Sequence, residues 1–172
     1  MRLLGAVLAG GQSRRFGSDK AQARLGGTTL LDHAVAALNP QCDRSVIVER
    51  ENGPVAAIPD RPQPGLGPLG GIAGALAYAA SEGFDAVLTV PVDCLRLPAN
   101  LRDLLAPPPA LLAAQPVIGL WPVRALLLLD ALLSEEDDRS VRSFARRMGA
   151  RAVESDVDLP NINHPSDLDR FA

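Results

Sequence analysis

Apolar residues run from position 3 to position 8 (LLGAVL) without the alternation of a half-solvated strand. Such a run fits a strand covered on both faces of a parallel sheet. Glycines follow at once and open a polar loop, LAGGQSRRFGSDKA, at 8–21. Residues 28–39, TTLLDHAVAALN, carry apolar positions at helical spacing behind a hydroxyl start, and SVIVE at 45–49 reads as the next buried strand. A Pro/Gly-rich connection at 59–71 leads into a helix over about 72–80, and AVLTV at 86–90 reads as a third buried strand that breaks at Pro91. The pattern then predicts a short helix near 100–105, a strand over 116–123, helices over 124–133 and 139–148, a strand at RAVE (151–154) and a last helix from Pro165. Strands alternating with helices predict an α/β fold with a doubly wound, mainly parallel twisted sheet and ligands at the carboxyl ends of its strands. The proline-rich stretch at 106–116 (APPPALLAAQP) reads as a stiff surface turn, and no internal repeat is discernible.

A length of 172 residues at 47% hydrophobic content suits one domain, 1–172, with a full core. The net charge of −3 provides no basic footprint for nucleic acid or anionic lipid, so an anionic partner must be held locally. Aromatics, at 3%, are too few for the stacking platforms of a single-strand binder. Cys42 and Cys94 lie far apart without metal-ligand spacing and read as reduced thiols of a cytoplasmic protein. The apolar N-terminal run is too short to span a bilayer and ends in glycines and arginines rather than a cleavage site.

The chemistry gathers in the first loop. Gly10 and Gly11 let backbone amides approach a ligand without a Cβ in the way, and Arg14, Arg15 and Lys20 surround that cradle with positive charge. The spacing is neither G-x-x-x-x-G-K-[ST] nor G-x-G-x-x-G, which leaves a di- or triphosphate cradle of another kind, with an ordinary tight turn as the bland alternative. Lys20 is the only lysine beside sixteen arginines. Its compact ammonium can follow a phosphoryl oxygen as charge shifts, where a guanidinium fork would fix one geometry. Asp93, just past an apolar strand, reads either as a magnesium ligand for bound phosphates or as a helix N-cap, and Asp60 poses the same choice. Asn161 and Asn163, at i and i+2 of an extended segment, point one way with donors and acceptors for a ligand, although capping of the helix opened by Pro165 accounts equally for Asn163. His164 reads as part of that cap, His33 as a packed or surface side chain, and Trp121 as core. No Cys/His pair or Ser/His/Asp set supports covalent acyl chemistry.

In order along the chain, LAGGQSRRFGSDKA, the GPLGGIAGAL helix start, PVDCLRLP and NINHPSDL resemble the MobA family, the molybdenum cofactor guanylyltransferases. The resemblance runs from the first strand to the last helix and implies a Rossmann-like nucleotidyltransferase fold of three layers. It also implies transfer of GMP from GTP to molybdopterin carrying molybdenum, release of pyrophosphate, and a magnesium requirement. Residue by residue, it puts the nucleotide loop on Leu8, Ala9, Gly10 and Gly11, with Gly67 and Leu69 from the helix start. The basic phosphate ligands fall on Arg15 and Lys20, the guanosine contact on Asp60 and the magnesium ligand on Asp93. Asn161 and Asn163 fall on the pterin side. Arg15, Lys20 and Asp93 would carry catalysis by positioning phosphates and offsetting their charge. Transient contact with molybdoenzyme apoproteins or their chaperones would follow from delivering the product.

Two departures from the family pattern bear on substrates. Glu49 stands where relatives often carry a nucleotide-facing asparagine, and the region 106–116 looks short of a β-hairpin, with Gln115 in a slot often held by histidine. A cytidylyltransferase of the same cofactor, another nucleotidyltransferase of small phosphorylated substrates, and a non-catalytic nucleotide-binding module therefore stand as alternatives.

Overall fold

The computed structural model describes residues 1–11, 16–135 and 138–172. Strand β1 (Leu3–Leu8) is an interior strand, third in the order of a seven-stranded sheet. After it come a small hairpin of β2 (Arg24–Leu25) and β3 (Thr28–Thr29), helix α1 (Leu30–Leu38), β4 (Arg44–Val48), β5 (Ala56–Ile58), α2 (Gly67–Ser81) and β6 (Ala86–Pro91). The second half holds α3 (Leu101–Leu105), β7 (Ala110–Leu112), β8 (Gly119–Pro122), α4 (Ala125–Ser134), α5 (Val141–Met148), β9 (Arg151–Val153) and α6 (Pro165–Leu168). The sheet order is β5-β4-β1-β6-β8-β7-β9, in which β8 runs antiparallel to both β6 and β7 and the other pairs are parallel.

The unbroken apolar run of β1 has a direct structural cause. Leu3 and Val7 enter the core on one face of the sheet with Leu30, Leu31 and Leu38 of α1, while Leu4 and Ala6 enter the core on the other with Leu69, Ile72 and Leu76 of α2. Because α1 and α2 cover opposite faces, the winding reverses at β1, and the crevice for a ligand opens at the carboxyl ends of β1 and its neighbours. Thr29 caps α1, its hydroxyl accepting from the Asp32 amide at 3.1 Å, which is the hydroxyl start expected from sequence.

Several elements differ from the sequence expectation. Helix α2 begins at Gly67, not near 72, because Pro68 suits a first helical turn and the following glycines pack rather than break the helix. A Cβ on Gly74 would stand 2.2 Å from the Pro59 carbonyl oxygen, so glycine is what lets this helix lie against the strand-exit loop. Strand β5 was hidden in the short AAI segment. The stretch 106–116 is not merely a surface turn: Ala110, Leu111 and Leu112 are buried as β7, between β8 and β9. Only the end of the expected 116–123 strand is extended, since Gln115 to Ile118 form the tight connection that joins β7 to β8 through the Ile118 N–H to Gln115 carbonyl bond of 2.9 Å. Trp121 is fully buried, and its indole N–H donates to Thr89 Oγ1 at 3.0 Å. Among the described residues no helix is long and apolar enough to cross a membrane.

Candidate active site

The carboxyl ends of β4, β1 and β6 lie side by side, with Val48 next to Leu8 and Leu8 next to Pro91. The chain leaves each strand within hydrogen-bonding reach of its neighbour: the Ala9 amide donates to the Val48 carbonyl, the Val92 amide to the Leu8 carbonyl, and the Glu49 amide to the Ile58 carbonyl. A cavity of about 340 Å³ sits over these ends. Leu8, Ala9, Gly10, Gly11, Lys20, Gly67 and Asp93 line it, joined by Glu49 and Gln115. At Gly10, Gly11 and Glu49 it opens into a wider groove of about 1590 Å³ that runs past Arg50, Asp60 and Gly65. A compact pocket continuous with a broad groove suits a polyphosphate and its nucleoside, respectively.

Lys20 opens a short 3₁₀ turn, Lys20–Gln22, that is anchored by buried Ala21 and capped by Asp19, whose carboxylate accepts from the Ala21 amide at 3.2 Å. Arg50, just past β4, forms an ion pair with Asp19 and so ties the Lys20 turn to the strand end. From that turn Lys20 Nζ reaches Asp93 Oδ2 at 3.2 Å, with both side chains largely shielded at 15% and 23% exposure. Asp93 is not the N-cap of α3, a place taken by Asn100, so the capping explanation for its position falls away. Among the described residues no group of three or more His, Cys, Asp or Glu could enclose a metal ion. A single hard carboxylate at a phosphate-sized pocket instead fits magnesium, which commonly takes one or two protein carboxylates and completes its shell with phosphate oxygens and water.

Asp60 is separate from this pair. It is 7% exposed, accepts from the Gly65 amide at 3.2 Å, and lines the wider groove. Glu49 meets it there. Burial, followed by the hydrogen bond and the negative charge of Asp60, pushes the Glu49 carboxyl up to about 7. The backbone of Glu49 adopts φ 66°, the left-handed region, which costs a residue with a Cβ on the order of 1 kcal/mol. Its side chain fills the space where a Cβ on Gly10 would be, the ideal Cβ lying 1.0 Å from Glu49 Oε2. Gly10 is thus required both by the ligand cavity and by Glu49.

Other expected residues divide. Leu69 lines neither cavity, because α2 starts early enough to turn this side chain into the core, where it is fully buried. Arg15, and Arg14 with it, lies outside the described residues. The segment carrying Asn161 and Asn163 is strapped to the Asp93 loop: Asn161 forms a bridge with Cys94, and the Ile162 amide donates to the Asp93 carbonyl at 3.0 Å. Ile162 is buried while both asparagines are exposed, which matches the i, i+2 expectation. Asn161 Oδ1 accepts from Gln115 Nε2 at 3.2 Å, whereas the Asn163 backbone amide donates to Asp167, and His164 caps α6. Neither asparagine lines the two cavities. Sequence reasoning missed the Arg50–Asp19 tie and the Gln115–Asn161 bond; both join segments distant in sequence, and no local spacing announces them.

A family model described as a MobA-like NTP transferase domain matches residues 5–152. The molybdenum cofactor guanylyltransferase of Rhizobium leguminosarum bv. trifolii (strain WSM2304) is 37% identical over 187 residues, covering 96% of this chain and 90% of that protein. Its counterpart in Cereibacter sphaeroides (strain ATCC 17029) is 38% identical over 186 residues, covering 99% and 95%. In fold, the chain is similar to the crystal structure of molybdopterin-guanine dinucleotide biosynthesis protein A from Archaeoglobus fulgidus, with a TM-score of 0.78 and 22% identity, covering 98% and 96%. A sheet wound about β1, a phosphate-sized pocket at its carboxyl end and full-length similarity agree: the chain is a nucleotidyltransferase and belongs to the MobA-like NTP transferase family.

Proposed function

We propose that this chain, acting as one domain in the cytoplasm, transfers GMP from GTP to the terminal phosphate of molybdopterin carrying molybdenum and releases pyrophosphate. The observation that carries the reading is the Lys20–Asp93 pair at the mouth of a pocket continuous with the groove of Asp60. The amides of Gly10 and Gly11, with Leu8, Ala9 and Gly67 around them, bind the triphosphate, and Arg15 and Lys20 neutralise it. Asp60 accepts from the base. Asp93 would hold magnesium, which would supply charge stabilisation at the phosphates. Asn161 and Asn163 face the incoming molybdopterin from the strap beside Asp93. Transfer needs little else from the protein, because positioning and charge offset supply most of the rate in such reactions.

The test is turnover of purified protein with molybdopterin, magnesium and either GTP or CTP, followed by pyrophosphate release and by the dinucleotide formed. GTP-dependent dinucleotide supports the reading. Equal or better use of CTP overturns its base assignment, and nucleotide binding without any transfer overturns the enzymatic assignment.

A further inference from the structure

Glu49 is a carboxyl side chain held in unusual circumstances. It has positive φ, it occupies the space above Gly10, it lines both the phosphate pocket and the nucleoside groove, and in that groove it interacts with a second carboxyl group, that of Asp60. Two carboxyl groups can share a hydrogen bond only if one keeps its proton, since two carboxylates present acceptors alone. The remaining charged groups nearby are committed elsewhere: Arg50 to Asp19, Lys20 to Asp93, and Arg61 to Asp130. From the end of β1 the Gly10 backbone lies against Glu49, and on the β5 side the Glu49 amide donates to the Ile58 carbonyl. Among the described residues, Asp60 is the charged group that faces it.

We propose that Glu49, in its protonated form, is a positioning residue for base recognition: its O–H holds Asp60 so that the Asp60 carboxylate accepts paired N–H donors on the edge of the base. The inference rests on the GTP reading given above. Asp60 accepts from the Gly65 amide at 3.2 Å, and an O–H on Glu49 donating to it from the other side would aim the carboxylate and still leave lone pairs for the ligand. Guanine offers adjacent ring N–H and amino donors that a single carboxylate can take together; cytosine offers an amino donor beside a ring acceptor, which a carboxylate repels. When Glu49 loses its proton, the O–H bond is replaced by repulsion between two carboxylates. Asp60 is then displaced, and a second negative charge lies beside the triphosphate.

The burial and the Asp60 interactions that raise Glu49 to about 7 place this change within the range of ordinary assays. If binding requires the protonated form, the apparent Kd rises as that form is depleted, by roughly 30-fold between about pH 6 and about pH 8.5.

The experiment is calorimetric titration of the whole chain with magnesium–GTP across that window, in the wild type and in Glu49→Gln. The glutamine amide donates to Asp60 without titrating. The γ-phosphate of GTP titrates equally for both proteins, so their difference isolates Glu49. The expected result is a steep loss of GTP affinity in the wild type and a shallow one in Glu49→Gln, with the preference for GTP over CTP narrowing only in the wild type. Matching profiles, or tighter wild-type binding at the higher pH, would overturn the inference. Infrared spectra of the wild type give an independent check should the variant misfold: a protonated-carboxyl band present at about pH 6 and lost through about pH 7 supports the pair, and its absence at about pH 6 removes it. If neither protein binds GTP at any pH, the GTP reading itself falls, while the infrared band still decides whether the carboxyl pair exists.

Discussion

Lys20 Nζ meets Asp93 Oδ2 at 3.2 Å across a sequence separation of 73 residues, so the loop after β1 and the loop after β6 present one ammonium and one carboxylate to the same cavity. Each group keeps the other from being shielded and unpaired. Under the proposed function each would have a separate task, the ammonium facing phosphoryl oxygens and the carboxylate facing the metal. Lys20→Ala is therefore expected to lower kcat by about 10²-fold or more, as for other removed charge stabilisers. Lys20→Arg is expected to restore only part of that rate, because its planar fork cannot reproduce a point charge. Steady-state pyrophosphate release measures both, and unchanged turnover in Lys20→Ala would remove the lysine from the reaction.

Gln115 lines the cavity of about 340 Å³ shared by Lys20 and Asp93 and donates to Asn161 on the strap that carries the expected pterin-side residues. Removing this bond with Asn161→Ala leaves the backbone links of the strap intact, because the Ile162 amide still donates to the Asp93 carbonyl. The expected effect is a KM for molybdopterin raised by about tenfold, the equivalent of one hydrogen bond, with GTP affinity changed by less than about twofold. Turnover at varied molybdopterin, alongside GTP titration, separates these effects. Weakened GTP binding with unchanged molybdopterin KM would place the strap on the nucleotide side instead.

Both thiols are expected to be inert. Burial, the largest influence on each, pushes Cys42 up to about 12 and Cys94 up to about 11, so at neutral pH almost no thiolate is available to react. Cys94 is also buried beneath the strap that bridges it to Asn161. Iodoacetamide at neutral pH should label neither in the folded chain and both after denaturation, as read by mass spectrometry. Rapid labelling of Cys94 in the folded chain would show that the strap opens.

The strands that wind about β1 were legible in the sequence because each is an apolar run with a sharp end: glycines after β1, Glu49 after β4 and Pro91 in β6. Lys20 and Asp93 stood out as residue types that are costly or unusual in their positions, and the structure brings those two together. Of the short strands in the large sheet, β9 was legible at RAVE, but β5 and β7 were not. Ala110–Leu112 owes its extended form to β8 and β9 on either side, and three apolar residues have no periodicity of their own. Leu69, expected from the resemblance beside the nucleotide, lines neither cavity, because the start of α2 at Gly67 turns its side chain into the core. The Glu49–Asp60 contact depends on a positive φ at a glutamate, which no sequence rule anticipates.

The glycines of α2 provide a test of how the helix positions Asp60. In a solvated helix, Gly→Ala gains about 1 kcal/mol through propensity. At Gly74 the new methyl would stand 2.2 Å from the Pro59 carbonyl oxygen and 3.0 Å from the Asp60 Cα, both backbone atoms that cannot swing aside. The helix and the loop must therefore separate, and overpacking of this kind costs about 1–3 kcal/mol. Gly74→Ala is expected to lower Tm by several degrees and to weaken GTP binding, since the loop that moves carries Asp60 into the nucleoside groove. Thermal unfolding and GTP titration of the same preparation measure the two effects. A variant as stable as the wild type, with unaltered affinity, would mean that α2 and the loop have room between them and that Asp60 is held by Glu49 and Gly65 alone.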